Sequence, residues 1–506
     1  MSKSQREKGI LLSYITMGVN FLIGILFTPF ITNTLGTSEY GLYSLASSII
    51  AYLSMLDLGF GNSMIRFNAR ARAKNDQDEE HTINGMFLVM FSIISVIALI
   101  VGLILYFNIG SFFDKFTDDE IEKAKVIFLI LLVNTCISFP FTVISAILST
   151  YEQFAYLKLY NLITSLVKYG LEIVVMLMGF KSIGVAAAAV IVSVSSKIFP
   201  IIHVKRRMRV RFSFKHFDKA LFKEIIVYSG FIFINIIVDR LYADTDKIIL
   251  GKFVGSAAVA VYGVASNLGK DFMQFSTSIS GVFLPNITKL ITKDVGMKEI
   301  SKIFVRIGRI QFIILSFIFS GFLIYGKYFI RLWVGEEYAE AYYIAVITMA
   351  PSVISLSQNI GVTVLQAMNR HRIRSVMYLV IGLVNVLISI PLAIKWGGTG
   401  AAIGTVIGNL MGQLIFMNWY YHRKIGLDIP GYWRKVVLRI GSVTAVYCVV
   451  GFLLNQHFSY NGWLELLLGI GIYTLIYIPL LWFAILNREE KKTLIDKIHT
   501  IKKFKG

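Results

Sequence analysis

The stretch Leu35–Phe67, LGTSEYGLYSLASSIIAYLSMLDLGFGNSMIRF, decides how the chain is read. It opens on a turn, runs through a helix-length apolar segment, and closes on a carboxylate, glycines and an arginine. Part of it returns later. Gly36-Thr37, Gly41, Tyr43 and Ala46-Ser47 are answered by Gly255-Ser256, Ala260, Tyr262 and Ala265-Ser266 in the same spacing. A second pair lies at nearly the same offset: Gly184, Ala186 and Val190-Ile191 against Gly400, Ala402 and Val406-Ile407. Two pairs at almost one offset divide the chain into two similar halves followed by a tail.

Working outward from that stretch, apolar runs of about 20 residues recur along the whole chain, and each is long enough to cross a bilayer. Of the 506 residues, 56% are hydrophobic and 16% charged, against about 25% charged in soluble domains. The chain therefore reads as an all-α polytopic membrane protein. Its fourteen spans are six in residues 1–204, six in 224–425 and two more in 426–506, where a basic tail follows. A basic linker, 205–223, joins the halves. Six spans per half keep the halves in one orientation, related by a pseudo-twofold along the membrane normal. The N-terminus runs directly into a full-length span, so no removable signal peptide is expected.

The net charge of +20 invites a nucleic-acid reading, but its placement excludes it. Most Lys and Arg fall in the termini and in alternate loops, which marks those segments, and hence both termini, as cytoplasmic. Cys136 and Cys448 lie inside apolar runs and read as packing residues. No GxxxxGK[ST] loop and no His-rich constellation occurs, so neither a cofactor nor a metal is expected. No hydrophilic segment is long enough for a separate catalytic domain.

Polar residues at steps of three and four stripe several spans. Asn20 lies on span 1, Asn134, Ser138, Thr142 and Ser145 on span 4, and Asn161, Ser165, Lys168 and Glu172 on span 5. Asp239 lies on span 7, Lys270 and Gln274 on span 8, and Asn359 on span 10. Ser and Thr in such stripes commonly bond neighbouring helices. Ionised groups need more, since each costs roughly 2.5–3.5 kcal/mol at the bilayer centre. Lys168 and Glu172 are spaced to neutralise each other. Lys197 is placed to snorkel to the inner surface, and Asp244–Lys247 to reach the outer one. The remaining cations point to a water-filled, net-positive cavity that attracts an anion, phosphate or pyrophosphate foremost.

The motifs also carry a likeness. Gly36-Thr37-Ser38-Glu39-Tyr40-Gly41-Leu42-Tyr43, with Leu56-Asp57-Leu58-Gly59-Phe60-Gly61 and Arg66, resembles the polysaccharide-transporter family of O-antigen (Wzx-type) flippases. Asp246-Lys247-Ile248-Ile249-Leu250-Gly251 with Tyr262, and Leu365–Arg370, look like that family's second-half elements. The resemblance covers the whole chain. It implies the multidrug/oligosaccharidyl-lipid/polysaccharide exporter superfamily, with two six-helix lobes and alternating access. It implies a non-enzyme in a bacterial plasma membrane that moves an undecaprenyl-pyrophosphate-linked oligosaccharide from inner to outer leaflet. A glycan polymerase and glycosyltransferases are the protein partners that fit such a role. With that substrate, Lys270, Arg240 and Arg66 are the candidates to hold the pyrophosphate, and Asn20, Gln274 and Asn359 to bond sugar hydroxyls. Asp57 and Asp239 read either as coupling carboxylates or as turn and ion-pair residues. Lys270 reads either as a cavity cation or as the partner of one of those two aspartates. A cation-coupled small-molecule exporter would share the fold with a more acidic cavity. A membrane glycan polymerase or ligase would need a sizeable outer loop, whereas loops 108–123 and 327–340 are short and acidic.

Overall fold

Inside a bilayer every backbone N–H and C=O must find its partner within the protein, and helices achieve this within one segment. The computed structural model describes residues 3–214, 218–456, 458, 460–492 and 495–496, which carry helices and no strand. Residues 215–217 of the basic linker, most of the basic tail and both chain ends lie outside the described residues.

In chain order the helices are α1 (Lys3–Leu53), α2 (Phe60–Ala73), α3 (Gln77–Phe112), α4 (Asp118–Thr150), α5 (Phe154–Leu177), α6 (Ser182–Ser196) and the short α7 (Ile198–Ile202). After the linker come α8 (Lys219–Phe253), α9 (Ser256–Thr292), α10 (Met297–Val334), α11 (Glu340–Ser357), α12 (Asn359–Ala367) and α13 (His371–Asn409). The short α14 (Met417–Tyr420) and α15 (Ile429–Tyr432) precede α16 (Arg439–Asn455) and α17 (Trp463–Leu480). Eleven continuous helical segments are long and apolar enough to span a membrane. Two of them, of 59 and 54 residues, far exceed the ~20 residues of one crossing. The first is broken at Gly36 (φ 72°, ψ 175°) and the second at Trp396 and Gly397. Counting each as two crossings, and adding the 37-residue α9, gives the fourteen expected.

The second break is a hairpin held by small residues. Gly400, Gly404 and Gly408 face the preceding arm. A Cβ at Gly400 would lie 1.9 Å from the Leu392 carbonyl oxygen, and one at Gly404 would lie 2.2 Å from Ser389 Oγ. Close approach through a small-xxx-small stripe is how helices associate where lipid removes the hydrophobic drive.

Span 2, expected as one helix over 41–65, is instead interrupted. A single 3₁₀ turn, Ser54–Asp57, leads to two left-handed residues, Leu58 (φ 53°) and Gly59 (φ 76°), before α2 begins. Asp57 explains the motif: its carboxylate accepts the Gly61 N–H at 3.3 Å, in the first turn of α2. An acidic group there meets unpaired amides and the positive end of the helix dipole. Gly59 has a second reason to be glycine, because a Cβ would sit 2.6 Å from Ile232 Cγ2. The segment expected as a loop from Arg66 continues as helix to Ala73.

The described chain gathers into two compact units, residues 1–266 with 375–408 and residues 267–374 with 409–506. These units are defined by contact and do not follow the sequence repeat. In the first, residues 375–408 join through Ser375, which donates to Asn235, and through Thr405, which donates to Asp246 at 2.7 Å. Its core stacks Phe60, Phe67, Phe87 and Phe91 among α2, α3 and their neighbours. The linker is tacked onto α3 by the Ser213 N–H, which donates to the His81 carbonyl at 2.9 Å. At the start of α4, Glu120 accepts from both Ser38 and Ser256, one from each of the turns at Gly36 and Gly255. Gly41 lies directly against Ser256, with a Cβ there 2.0 Å from its carbonyl oxygen.

In the second unit α10 carries α11, α16 and α17. Tyr473 meets Ser320 Oγ at 2.6 Å, and Tyr325 donates to the Gly469 carbonyl at 3.0 Å. Arg309 is buried and donates four hydrogen bonds. It donates to both oxygens of Glu490 at 2.8 and 3.0 Å, and to the carbonyls of Lys435 and Ile485 at 2.7 and 3.0 Å. The opposite faces of α16 and α17 expose Val449, Leu453, Leu464, Leu468 and Leu475, as lipid contact requires.

Candidate functional site: polar groups within the spans

The residues singled out by sequence fall in both units. Asn20, Asp57, Arg66, Asp239 and Arg240 belong to the first; Lys270, Gln274 and Asn359 belong to the second. Arg66 is exposed on α2, and its guanidinium stacks on the Tyr228 ring of α8 at 4.1 Å. Such contacts hold a planar cation in place while leaving its N–H fork available. Arg240 is half-exposed on α8 and pairs with the buried Asp244, one turn along, at 3.2 Å. Asn20, Asp239, Lys270 and Gln274 are exposed. Asn359 is half-buried at the start of α12, immediately after a break at Gln358.

That break divides span 10, whose polar stripe is therefore not continuous. The gap is braced from the side. Ser357 bonds the Tyr432 hydroxyl, and Gln358 donates to Asn418 at 2.8 Å.

Three placements differ from the sequence reading. Lys168 stacks on Tyr169 at 4.2 Å, and no ion pair to Glu172 forms among the described residues. Glu172 is buried with Oε2 left without a hydrogen bond. Asp244, Asp246 and Lys247 are buried rather than reaching the outer surface, Asp246 accepting from Tyr262 and Thr405.

The third is Lys197. It does not snorkel: it is 7% exposed, and its ammonium donates to Ser193 Oγ at 2.8 Å and to Asn134 Oδ1 at 3.5 Å. It sits in a pocket of about 460 Å³ between α4, α5 and α6, within the ~300–1,000 Å³ of small-molecule sites. Ser138, Thr142 and Ser145 enter from α4, Asn161 and Ser165 from α5, Ser193 from α6. Phe141 and Tyr160 add aromatic surface, the Phe141 ring 5.6 Å from the ammonium. The stripes on spans 4 and 5 announced two walls. The third wall was missed, although Ser193 and Lys197, four apart on span 6, are spaced to share a face.

The family model described as polysaccharide biosynthesis protein matches residues 7–291. A Shigella flexneri protein named "Putative O-antigen transporter" is 22% identical over 79% of this chain and 94% of its own length. Among solved structures, the lipid II flippase MurJ in an inward closed conformation superposes with a TM-score of 0.75 at 17% identity, over 93% of this chain and 98% of its own. An inward-facing multidrug resistance MATE family transporter of the MOP superfamily gives 0.65 at 16% identity, over 84% of this chain and 99% of its own. At these identities the likeness to the two structures is one of fold.

Proposed function

The chain belongs to the polysaccharide biosynthesis protein family, and from that membership we propose that it is a flippase, not an enzyme. Its substrate is an undecaprenyl-pyrophosphate-linked oligosaccharide, carried from the inner to the outer leaflet of a bacterial plasma membrane by alternating access. The name "Putative O-antigen transporter" of the Shigella flexneri relative favours the same reading, and the fold is shared with a lipid II flippase.

The physical problem is the head group. A glycan pyrophosphate cannot cross hydrocarbon unaided, whereas a polyprenyl tail can stay in lipid throughout. A protein that solves this needs cations inside the membrane that are kept for the substrate. The observation that carries the proposal is of that kind. Arg66 and Lys270 lie on helices read here as membrane crossings, are exposed, and form no ion pair among the described residues. A lipid-facing charge there is costly, so each faces water or an anion. In this proposal Arg66 and the half-exposed Arg240 of the first unit, and separately Lys270 of the second, are the cations offered to the pyrophosphate, while Asn20 of the first unit and Gln274 and Asn359 of the second are offered to sugar hydroxyls. Asp57 caps the start of α2, and Asp239 is the more exposed of the two coupling candidates. Both termini are cytoplasmic, and a glycan polymerase and glycosyltransferases act on either side of the flipping step.

The test is deletion of the gene followed by mass spectrometry of undecaprenyl-linked species. Accumulation of one complete repeat unit, cleared by the wild-type gene, is expected. An unchanged lipid-linked pool together with normal surface glycan would overturn the proposal.

A further inference from the structure

The pocket between α4, α5 and α6 has a chemistry of its own. Its ammonium is almost entirely buried, and its contacts are all neutral: a hydroxyl, an amide oxygen and an aromatic ring. Among the described residues no carboxylate lies within ion-pair distance of Lys197. A buried cation with only neutral company is an expensive arrangement, and an anion at the open side of the pocket relieves it.

The hydroxyls are equally specific. Ser138 gives its proton to the Asn134 carbonyl at 2.7 Å and Thr142 to the Ser138 carbonyl at 3.2 Å. With those protons committed along their own helices, the oxygens present lone pairs to the pocket. They suit a ligand rich in O–H donors. On the opposite wall Asn161 is exposed, with both an amide donor and an acceptor to offer. One pocket therefore combines a single strong donor for an oxyanion with a field of acceptors for hydroxyls, beside an aromatic face.

We propose that this pocket is a saccharide subsite. Lys197 binds an anionic oxygen of the ligand, and Ser138, Thr142 and Asn161 take up the hydroxyls of the sugar next to it. Two sources supply such an oxyanion: the phosphate of a glycosyl phosphate and the carboxylate of an acidic sugar. The subsite rests on the glycan reading above, and it adds a recognition point within the first unit that is separate from Arg66 and Arg240.

The test uses the full-length protein purified in detergent, with thermal stability read against added glucose 1-phosphate, glucuronate and neutral glucose. Stabilisation by an anionic sugar beyond that by glucose is expected. Glucose 1-phosphate as the better ligand assigns the phosphate source, and glucuronate the acidic-sugar source. Lys197→Met keeps the volume, removes the charge and has no ionic partner to orphan. It should melt near wild type and bind the anionic sugar about 10- to 100-fold more weakly, while Lys197→Arg retains most of the affinity. Asn161→Ala should weaken the sugar arm for all three probes. Undiminished protection of Lys197→Met by the anionic sugar would overturn the proposal, as would no preference for an anionic sugar in wild type. Because binding is read without transport, loss of binding in Lys197→Met alongside an unchanged lipid-linked pool in the deletion strain would retain the subsite and reject the flippase.

Discussion

Glu490→Ala is the perturbation whose size follows most directly from the structure. Arg309 lies with its side chain 5% exposed and donates four hydrogen bonds, two of them to Glu490. Removing the carboxylate leaves a buried guanidinium with two carbonyls and no counter-charge. Breaking such a pair costs about 3–5 kcal/mol, and the two surviving carbonyl bonds place this case near 3 kcal/mol. The double substitution Arg309→Met with Glu490→Met removes both charges together and should cost far less than the single changes combined. Unfolding of the purified variants, followed by tryptophan fluorescence through a denaturant series, measures both. The same pair gives a pH dependence. Burial alone would raise the Glu490 carboxyl, but the bonds from Arg309 and the Asn487 N–H outweigh it and hold the group below its usual 4.5. A lowered carboxylate stabilises fully above 4.5, and that contribution is lost as pH falls through the lowered value. A Glu490→Ala variant within about 1 kcal/mol of wild type at neutral pH would place the pair among ordinary surface ion pairs and refute the reasoning.

Gly59→Ala combines a positive φ with a 2.6 Å contact to Ile232, so it should cost about 1–3 kcal/mol and lower the melting temperature, with partial recovery when Ile232→Ala makes room. Reporter fusions at Met1 and Gly506 should be active only in the cytoplasmic format, and periplasmic activity at either end breaks the even number of crossings. Lys270→Ala should express normally and abolish glycan export in a deletion strain, with Lys270→Arg retaining part; full export by the alanine variant would return Lys270 to a structural role.

The crossings were legible because hydropathy measures what faces lipid, and lipid contact dominates a protein of this kind. The two turns that the spacing pairs, at Gly36 and Gly255, both take a positive φ that favours glycine, which is why glycine marks them in the sequence. Helix breaks inside apolar runs were not. The gap at Gln358 depends on Asn418 and Tyr432, some 60 to 75 positions away, and no local pattern announces a brace supplied from so far along the chain. At Asp57 the motif was visible, but only the backbone reveals that the carboxylate caps a new helix rather than lining a continuous one. Lys197 was misread for a reason of distance. It precedes a cluster of basic residues by two turns, where a long side chain normally reaches the surface, and only the packing of α4 against α6 shows that it turns inward. The compact units were hidden as well, since residues 375–408 join the first through contacts made by single side chains such as Ser375 and Thr405.

The shared acceptor at Glu120 bears on which substitutions the turns at Gly36 and Gly255 can tolerate. Here Ser38 and Ser256, one from each copy, rely on the same carboxylate oxygen, and Gly41 of one copy is pressed against the backbone of the other. A substitution in either turn changes the surroundings of its twin at once. The two turns are therefore coupled through one acceptor, and a tolerated change in one should depend on which residue the other already carries.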